Sequence, residues 1–273
     1  MKAIEVKGLY FSYGEQEVLR GINLSVEGGE FVGIIGNIGS GKSTFLLSLN
    51  GVIPHMIKGN FRGNVRVFGE NTAKSSVMKL SEKIAFVFQD PNDQIFLMTV
   101  GEEVGFALEN RDMERSEADK RVGNALREVG MLPYKKRDPS MLSHGQKQKV
   151  ALASAIGMDT PILLLDEPIS SLDNRSSTEV YDILRRENKK GKTIIAVEHN
   201  TEMLAEYADR IIVFNEGRIV LDGGKEILKN RLLKELGLKV PCAVEAAERL
   251  GIDACSIDEL VKKLKPVKKL KRR

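Results

Sequence analysis

Apolar and polar positions along this chain follow two rhythms. The first 30 residues alternate apolar and polar, with turn signals at Gly14, Gly21 and Gly28-Gly29, a pattern that predicts short antiparallel strands. Compact apolar runs come next. Phe31 to Ile35 ends in a glycine-rich loop, and Ser43 to Leu49 continues it with helical character. Ile84 to Phe88, Ile162 to Leu165 and Thr193 to Val197 are further runs of strand length. Such runs, separated by helical stretches, predict a parallel sheet covered by helices. Thr99 to Ile156 reads mostly helical, rich in Glu, Ala, Leu and Arg, and is broken by Pro133 and Asp138-Pro139. Ile211 to Phe214 and Arg218 to Leu221, joined through Asn215-Glu216-Gly217, predict a hairpin. From about Lys225 the pattern is helical again, with breaks at Gly237 and Val240-Pro241 and a further helix near Ser256 to Leu264.

Composition narrows the classes. A chain of 273 residues, 42% apolar and 29% charged, suits a globular protein with an ample core. No stretch reaches the roughly 18 unbroken apolar residues that a membrane helix needs. Residues 1–5 lack the apolar run of a signal peptide, so the expected location is the cytoplasm. Cys242 and Cys255 match no metal spacing and read as free thiols of a reducing compartment. The net charge of +4 is misleading, because Lys262 to Arg273 hold eight Lys or Arg. Of the 42 basic residues, 34 therefore remain against 38 acidic ones, a body charge of −4. That body offers no case for nucleic acid as a partner. The basic tail suits anionic headgroups or an acidic partner, or is a solvated terminus.

The chemistry starts at residues 36–44, Gly-Asn-Ile-Gly-Ser-Gly-Lys-Ser-Thr, between an apolar strand and a helix. Gly36, Gly39 and Gly41 let the backbone turn so that its N–H groups, with those of Asn37, Ser40 and Thr44, converge on phosphate. Lys42 adds a point charge between β- and γ-phosphates, and the Ser43 hydroxyl suits Mg²⁺. Asp166-Glu167 closes a buried strand, Asp166 placed to hold Mg²⁺ and Glu167 to polarise an attacking water. Gln89 ends another run and offers a neutral ligand to Mg²⁺ and to that water. His199 follows the strand Thr193 to Val197, where an imidazole can meet a γ-phosphate. Tyr13 either stacks on adenine or is a strand-face aromatic. Leu142-Ser143-His144-Gly145-Gln146 opens a helix, with Ser143 suited to the N-cap and Gln146 to N3 of a capping box. A capped helix N-terminus is itself an anion site. Ser143, Gly145 and Gln146 make sense as phosphate ligands presented by a second subunit.

These residues resemble the ATP-binding subunits of ABC transporters. The Walker A loop at 36–44, Gln89, the signature Leu142 to Gln146, the Walker B segment Ile162 to Glu167, the D-loop Ser171 to Asp173 and the switch His199 occur in that family's order and spacing. The resemblance covers roughly residues 1–225. Val87 to Gln94 and Glu102 to Phe106, with Gly237 to Pro241, are most similar to the ATPases of energy-coupling factor (ECF) transporters. It implies an α/β fold: a RecA-like P-loop core with an N-terminal antiparallel β part, a helical subdomain near 92–158, and a small C-terminal helical extension over 226–273. It implies ATP and Mg²⁺ as cofactors, ATP hydrolysis as the activity, and import of vitamins or transition-metal ions as the purpose. The implied partners are a second ATPase subunit, identical or related, with a transmembrane coupling subunit and a substrate-binding membrane subunit. The implied place is the cytoplasmic face of the membrane. Two departures stand out: His144 replaces the glycine that usually follows the signature's serine, and Asn37-Ile38 replaces the commoner Pro-Asn of the loop. The alternatives are a soluble ABC ATPase of DNA repair or translation, another class of ABC transporter ATPase, and a membrane-free regulatory module. In the extension, Val244, Ala247, Leu250, Ile257, Leu260 and Val261 either join two subunits or pack on their own core.

Overall fold

The structure, a computed structural model, describes residues 1–111 and 113–264. The basic tail from 265 onward lies outside the described residues, and so does the expectation attached to it. Two strands, β1 (Lys2–Tyr13) and β2 (Gln16–Glu27), pair antiparallel about the turn at Gly14. They are longer than the sequence pattern implies. Gly21 does not turn the chain: Leu9 faces Ile22 and Tyr10 faces Arg20, so Gly21 is the extra residue of a bulge within β2. A side chain there would start 2.8 Å from the Tyr10 hydroxyl.

The chain then enters β3 (Phe31–Gly36), α1 (Lys42–Leu49) and the short α2 (Val52–His55). It returns to the first sheet through β4 (Asn60–Val67) and β5 (Glu70–Asn71), and crosses through α3 (Val77–Ser81) to β6 (Ile84–Val87). Helices α4 (Val100–Glu109), α5 (Arg115–Glu128) and α6 (His144–Gly157) precede β7 (Ile162–Asp166). After it come α7 (Asn174–Lys189), β8 (Thr193–Val197), α8 (Thr201–Tyr207) and the hairpin β9 (Arg210–Asn215) and β10 (Arg218–Gly223). The described chain closes with α9 (Arg231–Glu235), α10 (Cys242–Leu250) and α11 (Ile257–Leu264).

Two sheets result, ordered β2-β1-β4-β5 and β10-β9-β3-β8-β7-β6. In the larger one β9, β3, β8, β7 and β6 run parallel. These five strands are buried on both faces, and alternate residues divide between two cores. Phe31, Ile35, Leu163, Leu165, Ile194 and Ala196 join the helices α4 to α8. Val32, Ile34, Ile162, Leu164, Ile195 and Val197 join α1 and the antiparallel sheet. This parallel register places the C-terminal ends of β3, β6, β7 and β8 along one edge, where ligands of such sheets bind. In the C-terminal region Val244 and Ala247 are buried, whereas Leu250, Ile257 and Val261 are 56%, 54% and 42% exposed. Val244 and Ala247 of α10 thus pack on the chain's own core, while Leu250, Ile257 and Val261 stand open among charged neighbours.

Candidate functional site

The glycine-rich loop leaves β3 against the end of β9. A Cβ on Gly36 would stand 2.3 Å from the Phe214 carbonyl oxygen, so the approach admits only glycine. Gly41 caps α1 with φ 98, in the region that favours glycine. The Gly217 N–H donates to the Ser40 carbonyl at 3.1 Å and so braces the loop from the β9–β10 turn.

Lys42 is 5% exposed. Its Nζ donates to the Gly36 carbonyl at 2.8 Å and to the Asn37 carbonyl at 2.9 Å. Burial holds this ammonium below the ordinary lysine range, with the Glu167 and Asp166 carboxylates working against it. A buried cation whose hydrogen bonds go only to neutral carbonyls favours an added anion, and a phosphate would serve. Ser43 is exposed in the first turn of α1, while Thr44 is buried and its Oγ1 lies 3.4 Å from the Tyr13 hydroxyl. The Tyr13 ring stands edge-on to Phe11, centroids 4.8 Å apart, and is 39% exposed.

β7 delivers Asp166 and Glu167 beside this loop. Asp166 Oδ1 is buried without a hydrogen-bond partner. Burial pushes the Asp166 carboxyl up, the Ser43 hydroxyl opposes the shift and the Glu167 charge adds to it. An orphaned carboxylate oxygen close to a serine hydroxyl is a hard-oxygen donor set, which fits Mg²⁺. Among the described residues no cluster of three His, Cys, Asp or Glu forms a rival cation cage.

Glu167 has φ 49, a left-handed conformation for a non-glycine residue, which costs of order 1–3 kcal/mol and persists where the surroundings enforce it. Its N–H donates to the Val197 carbonyl at 3.0 Å. Both carboxylate oxygens are held: Gln89 Nε2 donates to Oε2 at 2.9 Å, and His199 Nε2 lies 2.9 Å from Oε1. Three side chains from the ends of β6, β7 and β8 thus meet at one carboxylate.

Ser143 caps α6: its Oγ accepts from the Gln146 N–H at 3.3 Å, and its own N–H donates to Gln146 Oε1 at 3.0 Å. Gly145 packs beside Leu172 of the 171–173 turn. No hydrogen bond joins Ser143, Gly145 or Gln146 to the loop at 36–44 within this chain. The structure therefore gathers Lys42, Ser43, Asp166, Glu167, Gln89 and His199, sets Tyr13 on Thr44, and leaves the 143–146 turn unbonded to them.

Two features were not legible in the sequence. Glu198 is 2% exposed, and burial pushes its carboxyl up to about 8, the charge of Glu167 adding and the nearby Tyr181 hydroxyl opposing. The C-terminal region also reaches the site. Asn37 Nδ2 donates to the Leu236 carbonyl at 2.8 Å. Lys239 helps line a cavity of about 460 Å³ shared with Glu167, Glu198 and His199. Asn37 was visible as a departure, but nothing in the sequence named its acceptor.

Residues 19–170 match the model of the ABC transporter family. The chain belongs to the ABC transporter ATP-binding family. A putative ABC transporter ATP-binding protein of Pyrococcus abyssi is 48% identical over 92% of this chain and 91% of its own length. The energy-coupling factor transporter ATP-binding protein EcfA of Carboxydothermus hydrogenoformans is 38% identical, over 92% of this chain and 93% of its own. Among solved structures, CbiO1 of Clostridium perfringens, described as part of the ABC transporter complex CbiONQ, superposes with a TM-score of 0.76. It is 32% identical and is covered over 99% of its length, against 90% of this chain. A dimeric ATP-binding cassette in a post-hydrolysis state, bound to ADP and Pi, gives a TM-score of 0.71 at 30% identity, over 81% of this chain and 98% of its own. The chain is thus an ATP-hydrolysing ABC ATPase of a transporter, and proteins named as ECF transporter ATPases are among its relatives. No helix among the described residues is long and apolar enough to cross a membrane.

Proposed function

We propose that this chain is the ATPase of an ECF-type importer for a vitamin or a transition-metal ion, working at the cytoplasmic face of the membrane. The observation that carries this reading is the full-length likeness to EcfA and CbiO1, together with the Gln89–Glu167–His199 cluster. Two ATPase subunits, identical or related, sandwich ATP so that Lys42 of one faces Ser143 of the other. Tyr13 stacks on adenine, and the N–H groups of 36–44 cradle the phosphates. Ser43, Asp166 and Gln89 would hold Mg²⁺, which neutralises charge on the phosphates when bound. Glu167 orients the attacking water and accepts its proton. Gln89 and His199 keep that carboxylate in place. His199 also meets the γ-phosphate.

Coupling to a membrane subunit has a candidate surface in the segments that flank Gln89 and in α4. Phe88, Phe96, Met98 and Phe106 are 41%, 65%, 77% and 40% exposed. The buried Glu103 carboxylate accepts the Phe96 and Leu97 N–H groups at 3.0 Å each and fixes the loop that presents Phe96 and Met98. Exposed aromatics and methionine close to the water-positioning Gln89 suit a partner that must feel hydrolysis. Affinity purification from native membranes tests the reading. Co-purification of a second cassette with a coupling subunit and a substrate-binding membrane subunit supports it. Recovery of ribosomal or DNA-repair components alone points to the soluble alternative.

A further inference from the structure

Asn37 stands where the resembling loops more often carry proline, which has no side-chain donor. Here its amide donates to the Leu236 carbonyl at 2.8 Å, a contact across 199 residues of chain. Leu236 caps α9, where the last carbonyls of a helix need an outside donor. Gly237 follows in a left-handed conformation, φ 69. The turn closes through Leu238 N–H to the Leu233 carbonyl at 2.8 Å. Lys239 then lines the cavity beside Glu167 and His199. At Cys242 the backbone N–H donates to Glu202 Oε1 at 2.6 Å. Glu202 lies in the first turn of α8, the helix that starts two residues after His199. The segment 236–242 is thus fastened at one end to the glycine-rich loop and at the other to the helix behind His199.

We infer that residues 236–242 brace the nucleotide site, with Asn37 as the positioning residue that ties the phosphate loop to this segment. The peptide whose side chain holds Leu236 is the one whose carbonyl receives Lys42 Nζ at 2.9 Å. Fixing Asn37 therefore fixes one of the two acceptors that place the Lys42 ammonium before phosphate arrives, and a preorganised loop binds more tightly than a loose one. Linkage makes the effect mutual: a contact that favours nucleotide is itself favoured by nucleotide. The inference rests on the reading of 36–44 as a phosphate loop.

The test uses the full-length chain and a non-hydrolysable ATP analogue. In the wild type, saturating analogue should slow backbone hydrogen exchange over 236–242. Calorimetry on Asn37→Ala should show the dissociation constant rising roughly three- to ten-fold, as for one lost hydrogen bond. Asn37→Gln, which keeps the amide donor, should recover most of that loss. Gly237→Val attacks the same contact from the far side. Its added Cβ meets nothing within 4 Å, and a β-branched residue strains the left-handed backbone there and displaces the Leu236 carbonyl. It should weaken the analogue by the same factor, and the double variant should be no weaker than either single one. If the wild type binds analogue with exchange over 236–242 unchanged, the inference is overturned, whether or not Gly237→Val folds. A folded Gly237→Val that binds as tightly as the wild type also overturns it. Failure of the wild type to bind analogue at all contradicts the phosphate-loop reading itself.

Discussion

His199 Nε2 lies 2.9 Å from Glu167 Oε1, while Gln89 Nε2 donates to the second oxygen of the same carboxylate at 2.9 Å. A carboxylate clamped on both oxygens, on a residue with φ 49, has one orientation available and keeps it. Each oxygen retains a second lone pair, so the clamp leaves room for a water.

His199→Ala removes one side of that clamp and, on the proposed reading, a donor to developing phosphate charge. Turnover should fall roughly 10²–10³-fold, the usual cost of one preorganised donor, while ATP affinity stays within a few-fold. Equilibrium binding set beside steady-state phosphate release separates the two. A parallel loss of binding would mean that His199 shapes the pocket rather than the reaction.

Glu198 offers a pH signature. Its carboxyl titrates near 8 when folded, against an ordinary value of 4.5, because burial disfavours the charge. Between those values the folded chain holds a proton that the unfolded chain has lost. Glu198 therefore costs progressively more stability as pH rises through that window. Glu198→Gln carries no such charge. Its stability advantage over the wild type should be small at pH 5, grow towards pH 8 and level off above it. Urea unfolding at several pH values measures this, and a difference that shrinks with rising pH would contradict it.

Much of the site was legible because its chemistry is carried by short contiguous motifs. Residues 36–44 and 166–167 declare phosphate and carboxylate chemistry wherever a strand-loop-helix context surrounds them. The parallel sheet was legible too, since runs such as Ile162 to Leu165 are apolar on both faces. Less local features were not. Gly21 looks like a turn but is a bulge, because the Tyr10 side chain and the pairing of β1 decide its role. The Asn37–Leu236 contact and the burial of Glu198 arise only when distant segments pack.

The proposed composite site predicts complementation between subunits. Lys42→Ala and Ser143→Arg should each disable both sites of a uniform dimer. A mixed dimer keeps one site intact and should recover a substantial part of the activity. The assay is ATP turnover on mixing, with mixed dimers verified by native mass spectrometry. No recovery in verified mixed dimers argues against the sandwich. Where the natural partner is a related cassette, the second substitution belongs in that partner.

The exposed Leu250, Ile257 and Val261 of α10 and α11 predict association without nucleotide. Replacing Leu250, Ile257 and Val261 together by serine should weaken ATP-free dimers while leaving nucleotide binding unchanged, because these side chains are exposed in the single chain. Sedimentation equilibrium with and without ATP reads the effect. Equal association constants for both forms would show that the extension only packs on its own core.

The hydrolytic role of Glu167 is tested most directly by single-turnover hydrolysis in Glu167→Gln. That change keeps the shape and a hydrogen-bonding amide but removes the base. ATP should still bind, its cleavage should slow by the ~10²–10⁴-fold expected for loss of a general base, and an ATP-bound dimer should accumulate. Cleavage at near wild-type rate would contradict the assignment of the carboxylate that Gln89 and His199 hold.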